Sequence, residues 1–450
     1  MKKVLLSAAL CFGILSTNAQ SKIEFEEYKL KNGMNVILHE DHSTPIVAVT
    51  VLYHVGSKNE DPKRTGFAHF FEHLLFEGSE NIGRGEYMKI VQSNGGILNA
   101  NTSFDRTFYY EILPSNQLEL GLWLESERLL HAKIDEKGVE TQREVVKEEY
   151  RQRYENTPYG SFLPNMFSRA FEVHPYSWVP IGSLDHLNEA KIEEFREFYK
   201  TYYVPNNATL SIAGDFDKKQ LKKWIEKYFS TIPKGTKKMH RPSIKEPIKH
   251  KEVRDVVEDN IQLPAVMMGY HTPAQGTPDA YAVDMLAQIL SQGKSSRMQK
   301  GIIDEQEKAV YVGAFPFPSE DPGMALMFGI TNMGVSLESL ELAIDAEVEK
   351  VQNELISEKE FQKLKNQIEN DMVSKNSKIE GIAESLANYA VYYGDANLIN
   401  NEVDRYMKVT REDIQRVAKE YFRKDNRVVL HYVPKKKEQS AQQEVKEKTK

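Results

Sequence analysis

The sequence predicts an α+β protein built from two similar halves, and three observations lead there. Through residues 24–232, short β-branched and aromatic runs alternate with longer stretches of helical periodicity. Residues 233–251, rich in lysine and carrying Pro242 and Pro247, then interrupt the hydrophobic periodicity as a linker does. Beyond that stretch the first half's order recurs. Pro45-Ile46-Val47-Ala48-Val49 leads through Tyr53-His54, a loop and a helix to Gly78-Ser79, and Pro264-Ala265-Val266-Met267-Met268 leads through Tyr270-His271, a loop and a helix to Gly293-Lys294-Ser295. Two such halves would leave a cleft between them.

Taken in order, residues 1–19 have the makeup of a signal peptide. Lys2 and Lys3 precede an apolar stretch from Val4 to Leu15, and small residues follow at Ser16 to Ala19, so the mature chain is expected to begin near Gln20. Such a leader suits a periplasm. The single cysteine, Cys11, lies within it, so the mature protein is expected to have neither disulfides nor thiol chemistry. No later stretch reaches 18 apolar residues, so no membrane span is expected once the leader is removed. With 66 acidic against 59 basic residues the chain carries a formal net charge of −7, and no basic patch marks a nucleic-acid surface.

Glu24–Lys29 and Asn35–His39, punctuated by Gly33-Met34-Asn35, read as a hairpin. Val47–Val55 reads as a buried strand, and from Gly66 to Glu77 the apolar spacing turns helical. Ile97–Leu113 reads as strand broken near Ser103. Helical patterns then cover 116–131, 137–154 and 192–202, and Ala208–Ala213 closes the half as a strand. Residues 20–232 are thus expected to form one domain, 252–434 a second, and 435–450 a charged disordered tail.

The chemistry sits on the helix over Gly66–Glu77. His69 and His73 are four residues apart, so they share one helix face about a turn apart, a spacing that lets two imidazoles bind one zinc ion. Glu72 projects beside them, placed to take a proton from a zinc-activated water and pass it to a leaving amine. The order His-x-x-Glu-His inverts the commoner His-Glu-x-x-His arrangement. Catalytic zinc usually takes three protein ligands and keeps a fourth position open. By periodicity Glu149, four residues after Val145 and three after Val146, continues an apolar face and is the better candidate. Glu148, on the face of Glu144, is the alternative.

These residues carry a family resemblance. The segment from Gly66 to Ser79 around His69, Glu72 and His73 is similar to the pitrilysin/insulinase superfamily of zinc metallopeptidases. So are Asn99-Ala100-Asn101-Thr102-Ser103-Phe104-Asp105-Arg106-Thr107, Val145-Val146-Lys147-Glu148-Glu149, His174-Pro175-Tyr176, Tyr203 to Ala208, and Gly214-Asp215. The chain resembles in particular the half-length bacterial branch that is similar to mitochondrial processing peptidase. The resemblance implies two homologous α/β-roll domains, each a mixed sheet flanked by helices, forming half of a clamshell. It implies His69, His73 and Glu149 as ligands of one zinc ion, Glu72 as general base, and substrate pairing by strand addition along Ile97–Thr102, with Asn99 and Ala100 holding the scissile peptide.

Two positions depart from the family pattern. A glutamate seven residues before the third ligand, outside the direct ligand set, is here Gln142, which can hydrogen-bond but supplies no charge. In the second half, active single-chain relatives carry an arginine seven residues before a tyrosine that steadies the substrate carbonyl. Tyr311 is present, but the arginine position is Asp304, which would repel a developing oxyanion. Arg297 lies nearby at the wrong spacing. The second half also lacks ligands, since Asp284 and Gln288 stand where the histidines would be. The expectation is a zinc endopeptidase acting on peptides or unfolded segments, paired with a related half-length subunit that supplies the Arg/Tyr pair. The alternative is a non-catalytic scaffold of the same fold. Gly293-Lys294-Ser295 is not a phosphate loop, because the glycine required five residues earlier is Gln288.

Overall fold

The computed structural model describes residues 22–435. The expected leader, and all of the expected tail except Lys435, lie outside the described residues.

Glu26–Lys29 (β1) and Asn35–Glu40 (β2) form the expected antiparallel hairpin. Ile46–Tyr53 (β3) is buried along nearly its whole length, as a β-branched run at the centre of a sheet should be. Next come Phe67–Leu74 (α1), Tyr87–Ser93 (α2), Ile97–Thr102 (β4) and Thr107–Pro114 (β5). The helices Leu118–Leu130 (α3), Glu136–Tyr150 (α4), Phe162–Ala170 (α5), Leu184–Glu189 (α6) and Ile192–Tyr202 (α7) follow. Ala208–Gly214 (β6) and Lys218–Phe229 (α8) end the half. Helices α2, α5, α6 and α8 were not read from the periodicity. Three of them span nine residues or fewer, two and a half turns at most, which leaves little periodic pattern to read.

Residues 233–251 contain no helix or strand. They are tied down all the same. The Arg241 guanidinium donates to the His54 carbonyl and to Asn207, while Glu246 accepts the backbone N–H groups of Glu172, Val173 and His174. The second half runs Val253–Asp259 (β7), Ala265–His271 (β8), Pro278–Ser291 (α9), Ala309–Phe317 (β9) and Met324–Thr331 (β10). It continues through Leu337–Asn353 (α10), Glu358–Lys375 (α11), Ile379–Tyr393 (α12), Glu402–Lys408 (α13), Arg411–Tyr421 (α14) and Arg427–Pro434 (β11).

The repeat suggested by the sequence is a repeat of topology. The first sheet has the order β1-β2-β6-β3-β5-β4 and the second β7-β11-β8-β10-β9. With the extra hairpin strand β1 set aside, the two match strand for strand. In each, one parallel pair (β2 with β6, β7 with β11) is followed by antiparallel neighbours. Both are mixed sheets flanked by helices. The edge strand β4 therefore has β9 as its counterpart.

The halves exchange a helix. From the second half, α12 lays Ile382, Ala383 and Leu386 against Ile37, Ala48 and Ala213 of the first sheet. From the first half, α5 packs on β8 and β11, and Gly269 makes room for it: a Cβ there would lie 2.5 Å from Met166 Sδ. Met166, Phe167 and Ala170 join Met267, Leu326 and Leu430 in a core continuous with that of the first sheet. Ionic contacts close the same seam. Lys58, buried, meets Asp105 at 2.9 Å and, from the β9–β10 loop, Glu320 at 2.5 Å and Asp321 at 3.1 Å. No helix among the described residues is long and apolar enough to cross a membrane.

Candidate metal centre

The site is built on α1, and its entry is demanding. Gly66 precedes the helix at φ +97°, a conformation that costs a side-chain-bearing residue, and a Cβ would come within 2.6 Å of the Ile181 carbonyl oxygen. Glu60 caps this end, accepting the N–H of Gly66 at 2.9 Å, the N–H of Ala68 at 2.8 Å and the Trp178 indole N–H at 3.1 Å. It is fully buried, and burial pushes its carboxyl up to about 8 against those donors. The apolar face of α1 is aromatic. Phe67 stacks on Phe195 of α7 at 4.6 Å, and Phe71 lies 5.4 Å from Phe198 and 5.3 Å from Tyr203.

The far end of the helix rests on a buried charge cluster. Arg128 of α3 donates to the Leu75 carbonyl at 3.2 Å and pairs with Glu125 and Glu111, its guanidinium 4.2 Å from the Tyr109 ring centre. Two carboxylates then face one arginine, and burial together with Glu125 pushes the Glu111 carboxyl well above its usual range. Tyr109 adds a hydrogen bond to the Phe71 carbonyl at 2.9 Å. Both ends and the inner face of α1 are thus fixed, so the outer face presents its side chains in one arrangement.

On that face the structure brings His69, His73 and Glu149 together. The imidazoles are 4.8 Å apart, centre to centre, and nearly perpendicular. Glu149 Oε2 lies 3.4 Å from His69 Nε2 and 3.1 Å from His73 Nε2. Ligands about 2.0–2.1 Å from a tetrahedral zinc stand about 3.3 Å apart, so both carboxylate-to-imidazole distances fit a shared metal. Glu149 Oε2 is also buried and makes no hydrogen bond of acceptable geometry. A buried carboxylate oxygen flanked by two ring nitrogens, neither forming a well-directed hydrogen bond to it, is a position a cation would satisfy. The chemistry of the three donors suits zinc: imidazole nitrogen with carboxylate oxygen.

Glu149 lies in the last turn of α4, which Tyr150 ends before a wider, π-type turn over Arg151–Glu155. Val146 is fully buried but Val145 is nearly half-exposed, so the buried face is narrower than the periodicity suggested, with Glu149 still on it. Burial works to raise the Glu149 carboxyl, but the two imidazoles and Arg153, whose Nε lies 3.0 Å from Oε1, hold it well below the usual range. Glu148 points elsewhere, pairing with Arg151 at 3.5 Å and accepting from Gln152 at 3.2 Å.

The other candidates are placed as follows. Glu72 Oε2 accepts the Thr102 hydroxyl at 2.6 Å. Asn99 and Ala100 lie on β4, one of the two edge strands of the first sheet, and the Asn99 side chain accepts the Ala100 N–H at 2.9 Å. Gln142 makes no hydrogen bond to the three clustered residues. Its amide donates at 2.5 Å to Glu77, which is buried and paired with Arg84. Tyr311 lies half-exposed on β9, its ring 5.5 Å from that of Phe328, and no hydrogen bond joins it to His69, His73 or Glu149. Asp304 accepts from Gln299 at 3.0 Å. Arg297 is committed to Glu360 by two hydrogen bonds, of 2.9 and 2.8 Å. Asp284 and Gln288 bond to each other at 3.1 Å, with Tyr406 donating to Asp284 at 2.7 Å.

Sequence reasoning missed Thr102, Arg153 and Glu60. Arg153 follows Glu149 by four residues, a signal that was available. Thr102 shares the alternation face of Ala100, but nothing in the sequence pairs it with Glu72.

Comparison with known proteins finds relatives over most of the chain. The family model described as insulinase (peptidase family M16) matches residues 35–177, and that of the peptidase M16 inactive domain matches residues 190–368. The chain is 32% identical over 413 residues to the zinc protease PqqE of Helicobacter pylori, covering 91% of this chain and 93% of the relative. It is 23% identical over 405 residues to a probable mitochondrial-processing peptidase subunit beta of Arabidopsis thaliana, covering 87% of this chain and 75% of that one. Among solved structures it resembles a protease from Helicobacter pylori with a TM-score of 0.88 at 30% identity, covering 92% of this chain and 100% of the other. The periplasmic protease PqqL from Escherichia coli gives a TM-score of 0.75 at 18% identity, over 91% of this chain and 47% of that one.

Proposed function

The chain belongs to the insulinase family, peptidase family M16, and from that premise we propose that it is a zinc endopeptidase and the metal-bearing subunit of a dimer. The observation that carries the proposal is the orphaned, buried Glu149 Oε2 between His69 Nε2 and His73 Nε2. In this reading residues 20–232 form the metal-bearing domain, residues 252–434 a homologous non-catalytic one, and 233–251 the link between them.

His69, His73 and Glu149 would hold one zinc ion. Bound there, zinc supplies Lewis acidity, polarising a carbonyl and making water acidic enough to react near neutral pH. Glu72, one residue before His73, takes the proton from the attacking water and delivers it to the departing amine. The unpaired edge of β4 offers backbone N–H and C=O groups along which an extended peptide can add as a strand, at Asn99 and Ala100. To bind, that peptide must displace the Asn99 side chain from the Ala100 N–H.

The developing negative charge on the substrate needs a cation or donors. Tyr311 offers a hydroxyl, but Asp304 stands in the arginine position and Arg297 is held by Glu360. We therefore place the missing Arg/Tyr pair on a related half-length chain facing this one across the clamshell. Gln142 leaves the metal site one negative charge poorer than the family pattern. The leader-like N-terminus, and the description of PqqL as a periplasmic protease, support a periplasmic location. A scaffold role is the second reading, favoured by the match of residues 190–368 to an inactive-domain model. A scaffold has no use for Glu72.

The test is zinc content together with digestion of a mixed peptide pool, by wild type and Glu72→Gln, alone and with candidate half-length partners. The expected result is about one zinc per chain in both proteins, weak cleavage alone, strong cleavage when paired, and none with Glu72→Gln. Full activity of the isolated chain, unchanged by Tyr311→Phe, would remove the partner. No cleavage in any pairing would favour the scaffold.

A further inference from the structure

We propose that Thr102 is the positioning residue for Glu72, holding its carboxylate in the orientation from which it can exchange a proton beside His69 and His73. The inference rests on the role given to Glu72 above. A glutamate side chain turns about three bonds, and its terminal torsion is broad. A carboxylate with that freedom points at the reacting atoms for only part of the time. The Thr102 hydroxyl removes the freedom by donating to Glu72 Oε2 at 2.6 Å, at the short end of the range for hydroxyl donors. The other carboxylate oxygen, Oε1, is left for proton transfer.

The donor is itself rigid. Threonine is β-branched, so its hydroxyl has few rotamers. Its backbone ends β4 in register with Thr107, whose hydroxyl is fixed to the Val55 carbonyl at 2.9 Å. The following turn is closed by Ser103 N–H donating to the Arg106 carbonyl at 2.8 Å. Arg106 is anchored in turn from the second half, where its guanidinium donates to Asn388 at 2.5 Å and pairs with Glu384, both on α12. Leu98, Ala100 and Thr102 share the partly buried face of β4, while Ile97, Asn99 and Asn101 are exposed. The strand expected to receive the peptide is therefore the strand that aims the base, and a direct hydrogen bond joins the two.

Thr102→Val keeps the shape and deletes the donor, and Thr102→Ser keeps the donor. In whichever form cleaves the peptide pool, alone or paired, Thr102→Val should lower kcat about ten-fold with KM within about two-fold. Thr102→Ser should stay within about three-fold of wild type. Chelator competition should find zinc affinity unchanged in both. A readout independent of activity comes from urea denaturation of the metal-free chain. There Thr102→Val should shift the midpoint in the wild-type background and leave it unmoved in a Glu72→Ala background. Equal shifts in both backgrounds, or an unchanged kcat while Glu72→Gln abolishes cleavage, would overturn the inference and leave the proposed function standing. Cleavage that survives Glu72→Gln would overturn the function itself.

Discussion

Glu149 Oε2 lies 3.1 Å from His73 Nε2, while its neighbour in sequence, Glu148, turns away to Arg151. One residue of helix rotation, about 100°, separates a carboxylate facing the histidines from one facing solvent. Glu149→Gln should therefore lower zinc affinity by at least about 100-fold, whereas Glu148→Gln should stay within about three-fold of wild type. Competition with a chromogenic chelator reads both, and equal losses would contradict the assignment of Glu149.

Gln142 donates to Glu77, which is buried and already paired with Arg84. Restoring a glutamate at position 142 would set two carboxylates against each other in a site with little water. Gln142→Glu should cost about 1–3 kcal/mol in urea denaturation near neutral pH. The double variant with Glu77→Gln should recover most of that. If Gln142→Glu is neutral alone, the Glu77 contact is not what selects the amide.

Gly66→Ala tests the entry to α1. The left-handed φ and the 2.6 Å approach to the Ile181 carbonyl leave no place for a methyl group. The expected loss is at least about 2 kcal/mol, accompanied by weaker zinc binding because both histidines ride on the same helix. A variant with wild-type stability would show that the helix start can shift without cost.

The seam between the halves should be sensitive to acid. Burial pushes Glu320 upward, but His54 and Lys58 outweigh it and bring its carboxyl down to about 2. Asp321 is lowered too, by His174 and Lys58 against its burial, and Asp105 completes the set facing Lys58. A carboxylate whose folded value is depressed contributes stability that is complete above its ordinary value near 4.5, and that contribution disappears as pH falls toward 2. Glu320→Gln should therefore flatten the fall of the denaturation midpoint between pH 4.5 and 2. Parallel curves for the two proteins would count against it. Lys58→Met, which leaves three carboxylates around an absent cation, should cost about 3–5 kcal/mol.

What the sequence determined by itself was local. Four-residue spacing places His69 and His73 on one face, a β-branched run marks β3, and Pro242 and Pro247 lie in a stretch that forms no helix or strand. Each follows from the period of a helix or the chemistry of neighbouring residues, and these can be read along the chain. The order of the two sheets was legible only as a faint recurrence, because hydrogen bonding between strands far apart in sequence leaves no periodic mark on either.

Tertiary structure decided the rest. Glu149 reaches the histidines across 76 to 80 residues of chain, and Thr102 reaches Glu72 across 30. Gln142 turns to Glu77, and the two halves exchange α5 and α12. A helical pattern states which way a residue faces relative to its own axis. What it faces is set by the packing of whole elements, whose energy is shared among many side chains and written in no single spacing.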